Sequence, residues 1–289
     1  MRIVILGSTG QVGSVITNTI RENFPDDDIL ACGRKSMSGL FRFDPFTDDW
    51  ETLGKVDILV NVIGAMIPTR NNPLQKVHVG LAEKIAENFE RMGNPGIIHI
   101  SAIGADPNHI TSFLSTKGKA DEILLKLPNV IILRPSVIHT PGNMIWKRLS
   151  LLVSVGQVSF GYLLVPKSLA DCLLQPILAG DLAEIVAKLI EKYDRGGVFE
   201  IAGPEQYPVK QLIEMIASFR KKKIKFIDMN EKLADFLIGN LVTVLLPDLL
   251  NRDQYLLLKE DNISNKNMAS AILGRAPGSV LPALGKIFS

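Results

Sequence analysis

The fold is decided by one stretch at the start of the chain, Met1-Arg-Ile-Val-Ile-Leu-Gly-Ser-Thr-Gly-Gln-Val-Gly13. Residues 2–6 are apolar, rich in β-branched side chains and too few for a helix, so they predict a strand buried on both faces, as in a parallel sheet. Three glycines follow at three-residue spacing, and the apolar residues after them recur with a helical period. A strand, a glycine turn and a helix in this order favour dinucleotide binding over the alternative, a plain strand–helix turn.

Each glycine of this turn has a predicted role. Gly7 permits the tight turn, Gly10 lets the backbone approach a diphosphate, and Gly13 lets the first helix pack on the strand. The free N–H groups at the start of that helix attract the anion. The spacing is G-x-x-G-x-x-G, and no G-K-[ST] phosphate loop is present. We therefore expect the nucleotide to contact Gly7, Ser8, Thr9, Gly10, Gln11, Val12 and Gly13.

Composition limits the classes of function. The chain has 289 residues and a formal net charge of +2, which gives no electrostatic case for nucleic acid as a partner. Its basic run, residues 220–223, is interpreted as a solvated helix end. Two cysteines and four histidines show neither a disulfide framework nor metal-ligand spacing, so we expect a reducing compartment and no metal. The first residues form a strand rather than a leader peptide, and we expect a cytoplasmic location.

Strand-like and helical segments alternate through the first half of the chain. After the first strand and helix come predicted strands at 28–33, 40–44, 56–63, 96–101 and 129–138, with helices at 73–92 and 111–127. This alternation is typical of an α/β protein with a doubly wound parallel sheet, the Rossmann architecture. Later helices are predicted at 181–192, capped by Asp181, and at 208–219. We assign 1–141 with 176–204 to the Rossmann domain, and 142–175 with 205–289 to a smaller, mostly helical lobe.

The ends of the strands supply further candidate nucleotide contacts. The residue after the second strand faces the adenosine ribose in this fold, and an acidic residue there selects NAD. Arg34 and Lys35 occupy this region, and two cations suit a 2′-phosphate, so the sequence favours NADP(H) over NAD(H). The alternative is a solvated loop. Asp44 is placed to reach the adenine amino group. The fourth strand ends in residues across which a cofactor can lie, namely Val62, Ile63 and Gly64.

Two uncharged segments, 149–166 and 236–247, account for the high hydrophobic content of 46%. The first reaches the lower length limit of a membrane span, but glycine and polar residues interrupt it. We expect instead that 142–175 and 234–250 meet a hydrophobic substrate, a protein partner or a membrane surface. In the last of these cases the protein is peripheral to the membrane.

Four motifs together resemble the atypical short-chain dehydrogenase/reductase superfamily, with its NmrA-like and epimerase-like members. They are the glycine turn, His99-Ile-Ser-Ala-Ile-Gly-Ala-Asp106, Leu133-Arg-Pro-Ser-Val-Ile138 and Phe199-Glu-Ile-Ala-Gly-Pro204. Within this superfamily, residues 254–263 are similar to the branch of the NDUFA-nine-type accessory subunit of respiratory complex I. The resemblance covers nearly the whole chain and implies an NAD(P)(H)-binding Rossmann fold.

Catalytic members of the superfamily use a serine, a tyrosine and a lysine four residues after the tyrosine. The tyrosine moves a proton as hydride moves, the lysine lowers the tyrosine pKa and holds the nicotinamide ribose, and the serine orients the carbonyl. Ser101 and Lys117 match this pattern, but Phe113 stands at the tyrosine position and has no proton to give. Alternatively, Ser101 is a strand-end hydroxyl bonded to backbone and Lys117 a surface lysine. Substitute donors to consider are His109, Ser112, Ser115 and Tyr162.

The sequence therefore favours an NAD(P)(H)-binding protein that is non-catalytic or weakly catalytic. Its nucleotide would stabilise the fold or report redox state to a partner. One alternative is an NADP-dependent oxidoreductase or epimerase-like enzyme acting on a hydrophobic substrate such as a quinone or isoprenoid. A second alternative is an NADP(H) redox sensor.

Overall fold

The structure is a computed structural model that describes residues 1–67, 69, 73–192, 196–242 and 252–288. The predicted contact region 234–250 therefore lies partly outside the described residues. The chain divides into two compact units. The first comprises Met1–Pro135, Ala179–Ile201 and Ser264–Pro277, and the second comprises Ser136–Leu178, Ala202–Ile263 and Gly278–Ser289.

The elements are numbered in chain order. The first half of the chain contains β1 (Arg2–Leu6), α1 (Gln11–Asn23), β2 (Asp28–Gly33), β3 (Phe41–Arg42), β4 (Ile58–Asn61), α2 (Leu81–Glu87), β5 (Gly96–Ile100), α3 (Ser112–Leu124), β6 (Val130–Pro135) and β7 (Ile138–His139). The second half contains α4 (Met144–Val158), β8 (Tyr162–Pro166), α5 (Lys167–Ala170), β9 (Leu173–Leu174), β10 (Ile177–Leu178), α6 (Ala179–Glu191), β11 (Gly197–Ile201), β12 (Tyr207–Pro208), α7 (Val209–Phe219), β13 (Lys225–Met229), α8 (Glu231–Phe236), α9 (Arg252–Leu257), α10 (Ala269–Leu273) and α11 (Leu281–Phe288).

The first unit is built on a seven-stranded parallel sheet with the order β11-β6-β5-β4-β1-β2-β3. Helices α1 and α6 pack together, as do α2 and α3, so helix pairs flank the sheet. The predicted doubly wound α/β fold is confirmed. Strand β1 lies where the strand order reverses, and its residues Ile3–Leu6 are fully buried, as predicted. Open α/β sheets bind ligands at this switch point, beyond the carboxyl ends of the strands.

The predicted helix 73–92 is interrupted. Its apolar stripe is buried as expected, at Leu74, Val77, Leu81, Ile85 and Phe89. The backbone, however, forms a π-helical turn over Gln75–Gly80 before α2 begins at Leu81. Such turns are rare and occur often at functional sites. This one brings Val77 and His78 to the same end of the sheet as the glycine turn.

Asp181 is not the cap that the sequence predicted. Helix α6 begins two residues earlier, at Ala179, which places Asp181 in the first helical turn. Its carboxylate accepts a hydrogen bond from Arg275 at 2.8 Å, and Arg275 also pairs with Glu184. This pairing attaches residues 264–277 to the first unit, whereas the predicted division places them in the lobe.

In the second unit, α4 packs against both α7 and β8. Its buried core includes Trp146, Leu149 and Val153 of α4, Leu163 and Val165 of β8, and Leu212, Ile213 and Ile216 of α7. Strand β8 pairs in parallel with β13, from Tyr162 with Lys225 to Pro166 with Met229. The uncharged segment 149–166 thus forms part of α4, a turn and β8. None of the helices in the described ranges combines the length and apolar character that crossing a bilayer requires.

Candidate nucleotide site

A cavity of about 250 Å³ opens at the carboxyl end of β1 in the first unit. The β1–α1 turn contributes Leu6, Gly7, Thr9 and Gly10 to its wall, and the end of β2 contributes Cys32, Gly33 and Arg34. The rest of the wall is formed by the end of β4, the loop after β3 and the segment before α2. This is the place where the sequence predicted the nucleotide.

The glycine turn is compact enough to require glycine at two positions. Gly7 has a φ of +89°, and a Cβ there would lie 2.9 Å from the Ile63 nitrogen. A Cβ on Gly13 would lie 2.0 Å from the Gly7 carbonyl oxygen, closer than any real contact. The Gly10 N–H donates to that same oxygen at 3.0 Å. The turn thus has the close backbone packing predicted for a diphosphate cradle.

The start of α1 suits an anion. The helix begins at Gln11 with Gly10 as its N-cap; among the described side chains none caps it, and its first turn contains no acidic residue. A helix N-terminus of this kind presents N–H groups and a partial positive charge. Of the predicted turn residues, Ser8 is buried and its hydroxyl donates to the Cys32 carbonyl at 2.6 Å. Gln11, Val12 and Gly13 belong to α1 and stand outside the cavity wall.

The end of β2 places one predicted cation at the cavity. Arg34 lines it directly after Gly33, whereas the exposed Lys35 does not. Asp44 does not line it either, because its carboxylate accepts a hydrogen bond from the Phe46 N–H at 3.0 Å. That bond shapes a turn whose apolar residues, Phe43, Pro45 and Phe46, form one wall. Contacts of Lys35 and Asp44 with a nucleotide stay predictions.

The end of β4 forms the opposite wall. Val62, Ile63 and Gly64 line the cavity, as does Ala65. A Cβ on Gly64 would lie 3.3 Å from the Lys117 Nζ. The absent side chain at Gly64 therefore lets the lysine ammonium approach the backbone beside the cavity.

Lys117 is not the surface lysine of the alternative interpretation. Its side chain is 4% exposed, and its Nζ donates to the Ile100 carbonyl at 2.8 Å. Burial lowers the pKa of Lys117 to about 8, with the carboxylate of Asp121 opposing that shift. The buried ammonium lies at the end of β5, one helical turn after Phe113 and outside the residues that line the cavity. Its contact with a ribose stays a prediction.

Ser101 is committed to a buried carboxylate. Its hydroxyl donates to Asp121 Oδ2 at 2.9 Å, and the same oxygen accepts from Arg134 Nε at 3.0 Å. Asp121 is 1% exposed. Burial raises the pKa of Asp121, and its bonds with Ser101 and Arg134 oppose the shift. In this state the Ser101 proton points at Asp121, so the hydroxyl is not donating to a substrate.

His78 is a site residue that sequence reasoning missed. Its Nδ1 lies 2.8 Å from Thr116 Oγ1, and the Thr116 hydroxyl donates to the Ser112 carbonyl. Nδ1 therefore carries the proton, and Nε2 accepts from the Ala65 N–H at 3.3 Å. Burial and the nearby Lys117 lower the pKa of His78 to about 3. The neutral ring packs edge-on against Phe113, with ring centroids 5.8 Å apart.

A second buried histidine lies beneath the site. Asn61 Oδ1 accepts from the Ile63 N–H, so its amide nitrogen donates to His99 Nδ1 at 2.9 Å. The proton of His99 is thus on Nε2, which faces Asp121 Oδ1 at 3.9 Å. Burial, then the charge of Lys117, hold the pKa of His99 well below its usual value. Asn61, His99 and Asp121 link the ends of β4 and β5 to α3.

The four candidate replacement proton donors have the following surroundings. The Ser115 hydroxyl donates to the Pro107 carbonyl at 2.8 Å, and His109 Nδ1 accepts from the Thr111 N–H at 3.0 Å. Ser112 is exposed at the start of α3, and Tyr162 belongs to the second unit. None of these contacts directs a proton toward the cavity, so the structure adds no support for a replacement acid.

Solved structures share this architecture. MoeE5, in complex with UDP-glucose and NAD, superposes with a TM-score of 0.71 at 13% identity, covering 100% of this chain and 97% of that one. A nucleoside-diphosphate-sugar epimerase from Staphylococcus aureus gives 0.70 at 17% identity, covering 99% and 100%. The predicted resemblance to the atypical short-chain dehydrogenase/reductase superfamily is confirmed at the level of the fold.

Sequence comparison finds relatives of one kind. No family model matches the chain. The mitochondrial 40 kDa subunit of NADH-ubiquinone oxidoreductase from Neurospora crassa is 22% identical over 265 residues, which are 86% of this chain and 68% of that protein. Mitochondrial subunit 9 of the NADH dehydrogenase (ubiquinone) 1 alpha subcomplex from Arabidopsis thaliana is 25% identical over 247 residues, 78% and 58%. The chain is similar to the predicted complex I accessory-subunit branch.

The buried Lys117 predicts a pH dependence of stability. Its pKa is about 8 in the folded protein and 10.5 ordinarily, so the unfolded chain binds more protons between these values, and stability rises with pH in that window. From about pH 7 to about pH 9, the free energy of unfolding of the nucleotide-free protein should rise by about 1.4 kcal/mol relative to that of the Lys117→Met variant. Urea unfolding of both proteins at each pH measures this, and titrating groups remote from Lys117 cancel in the difference. An identical pH dependence would contradict it.

Proposed function

We propose that this protein binds NADP(H) in the β1–α1 cavity and is non-catalytic or weakly catalytic. The proposal rests on a glycine turn with an open helix N-terminus. It rests equally on Phe113, which stands where a catalytic member has its proton-donating tyrosine. The cavity wall fits the ligand class, because it combines a backbone cradle, one cation and apolar surfaces. The nucleotide supplies hydride chemistry when bound. The residues of this chain bind and orient it, with Lys117 proposed to hold the nicotinamide ribose.

The preference for NADP(H) rests on Arg34. It follows β2 at the cavity wall, where an acidic residue would accept hydrogen bonds from the ribose 2′-hydroxyl and select NAD. A guanidinium pairs well with a 2′-phosphate.

Arg34→Ala should weaken NADPH binding about tenfold, the loss of one charge-assisted contact, while NADH affinity changes little. Lys35→Ala is the matched control, since the neighbouring cation stands outside the cavity wall, and it should have the smaller effect. Isothermal titration calorimetry measures the affinities of the parent and of both variants for NADH and for NADPH. An equal loss for NADH and NADPH in Arg34→Ala would show that Arg34 does not read the 2′-phosphate.

We further propose that the protein acts within, or reports to, a protein assembly. This rests on its similarity to proteins named as mitochondrial subunits of NADH-ubiquinone oxidoreductase. The chain spans 68% and 58% of those two relatives, so their assembly is a proposal for this one. Their mitochondrial location gives no support to the predicted cytoplasmic location, which stays a prediction.

The decisive experiment combines binding with turnover. Calorimetry should show tight binding of NADPH, and mass spectrometry of the denatured protein should show which small molecule it retains. A panel of carbonyl and quinone acceptors should show no appreciable NADPH oxidation. Robust turnover would overturn the non-catalytic proposal, and absence of nucleotide binding would overturn the site.

An enzyme is the second candidate. Its support is the retained Ser101 and Lys117 and the likeness to a nucleoside-diphosphate-sugar epimerase fold. Such an enzyme would be an NADP-dependent oxidoreductase or epimerase-like protein acting on a hydrophobic substrate. A redox sensor is a third, and it would require different affinities for NADP⁺ and NADPH.

A further inference from the structure

The turn that joins α4 to β8 holds two apolar side chains out in solvent. Val158 is 84% exposed and Phe160 is 93% exposed, the largest exposed fraction among the described large hydrophobic residues. Phe160 also has a φ of +56° and is followed by Gly161 at +87°. A bulky side chain rarely adopts this left-handed backbone. Neither burial nor backbone preference therefore explains a phenylalanine at this position.

The turn is held in place by backbone hydrogen bonds. The Gly161 N–H donates to the Gly156 carbonyl at 2.7 Å, and the Tyr162 N–H donates to the Ser159 carbonyl at 3.0 Å. On the neighbouring strand, the Lys225 N–H donates to the Gly161 carbonyl at 2.8 Å. These bonds fix the conformation of the turn. We call its two exposed apolar side chains, Val158 and Phe160, the tip.

A basic turn lies beside this tip. The Gln157 side-chain amide donates to the Lys223 carbonyl at 3.0 Å, and Lys225 Nζ lies 5.9 Å from the centre of the Tyr162 ring. The exposed lysines of this turn and strand are Lys221, Lys222, Lys223 and Lys225. The acidic residue of β13, Asp228, is in register with Val165 near the far end of β8. The surroundings of the tip are therefore positively charged.

We propose that the tip, defined as Val158 and Phe160, together with the four lysines, docks the protein on an anionic membrane surface. Apolar side chains enter the boundary between headgroups and acyl chains, while ammonium groups meet lipid phosphates. Lysine stems can lie along apolar surface with their charges in the headgroup layer. The site lies in the second unit and does not depend on nucleotide binding, so it goes beyond the proposed function.

A protein partner fits these observations less well. Stable protein interfaces bury about 800 Å² on each partner and are depleted in lysine. The tip offers two protruding side chains ringed by lysine, which is the pattern of an interfacial membrane contact.

Phe160→Trp provides a direct readout. The native tryptophans, Trp50 and Trp146, are 4% and 1% exposed, so a tryptophan at the tip reports on its own surroundings. Vesicles of phosphatidylcholine with an equal part of phosphatidylglycerol should shift its emission to the blue, and lipids brominated in the acyl chain should quench it. Pure phosphatidylcholine vesicles should do neither, and salt should reverse the shift. No shift with anionic vesicles, or an equal shift with neutral ones, would overturn the proposal.

Loss variants complete the test in vesicle sedimentation of the full chain. Val158→Ser with Phe160→Asn removes the apolar tip while keeping a residue that tolerates the left-handed backbone. Lys222→Gln with Lys223→Gln removes two charges. Each pair should weaken binding to anionic vesicles at least about tenfold, with unchanged unfolding midpoints. Ile110→Ser, at a residue 75% exposed in the first unit, should bind like the parent. Full binding by the tip variant would overturn the proposal and leave the surface to an acidic protein.

Discussion

Gly10→Val should abolish measurable NADPH binding while leaving the protein folded. Gly10 is exposed at the cavity wall, and the nearest atom that its Cβ would meet is the Gly7 carbonyl oxygen at 3.3 Å. The valine methyls would then occupy the space through which a diphosphate approaches the backbone. We expect an affinity loss of at least about a hundredfold, equivalent to about 2.7 kcal/mol. The cost in stability should be about 1 kcal/mol, because valine is a poor N-cap residue.

Two further glycine variants separate a blocked site from a broken fold. Gly13→Ala inserts a Cβ 2.0 Å from the Gly7 carbonyl oxygen, so it should destabilise the turn by about 1–3 kcal/mol or more and lose binding as a consequence. Gly180→Ala on α6 meets nothing within 4 Å and should bind as the parent does. Calorimetry measures the NADPH affinity of each variant, and urea unfolding measures its stability. Gly10→Val that binds NADPH normally would show that the diphosphate does not rest on this turn.

Local sequence patterns predicted the framework of this site. The buried strand and glycine spacing define the β1–α1 turn because each depends on residues within one short stretch. Arg34 and Gly64 were found by the same route, since strand ends in parallel sheets meet at one edge. The predicted strands at 40–44 and 56–63 are real but shorter, Phe41–Arg42 and Ile58–Asn61, because element ends depend on backbone pairing with neighbouring strands, which an apolar run does not specify.

Contacts between distant residues were not predictable in this way. Ser101 and Asp121 are 20 residues apart, and His78 and Thr116 are 38 apart. No periodicity marks such pairs, and an aspartate on a helix is usually solvated. The π-helical turn that positions His78 was also invisible, because its apolar stripe matches an ordinary helix. The sequence therefore singled out Ser101, Phe113 and Lys117 but missed the polar groups, such as Asp121 and Thr116, that contact the buried side chains around them.

Phe113→Tyr should convert an idle scaffold into a measurable reductase. Phe113 is half-buried on α3, one helical turn before Lys117, whose ammonium would lower the pKa of the new phenol. A general acid in place contributes about a hundred- to ten-thousand-fold. We expect NADPH oxidation with a carbonyl or quinone panel to rise by about a hundredfold, the lower end of that range. The lower end is expected because the Ser101 hydroxyl donates to Asp121 rather than to a substrate.

Removing Lys117 tests whether the activity gained by Phe113→Tyr depends on the neighbouring cation. Phe113→Tyr combined with Lys117→Met should lose most of the new activity, since the phenol would lose its neighbouring cation. Phe113→Leu, which removes the ring contact with His78 without adding a hydroxyl, should stay at background. NADPH affinity of Phe113→Tyr should match the parent, so that any change belongs to turnover. Equal activity in Phe113→Tyr and Phe113→Leu would mean that the missing phenol is not what keeps this scaffold idle, and the Ser101–Asp121 bond would become the leading explanation.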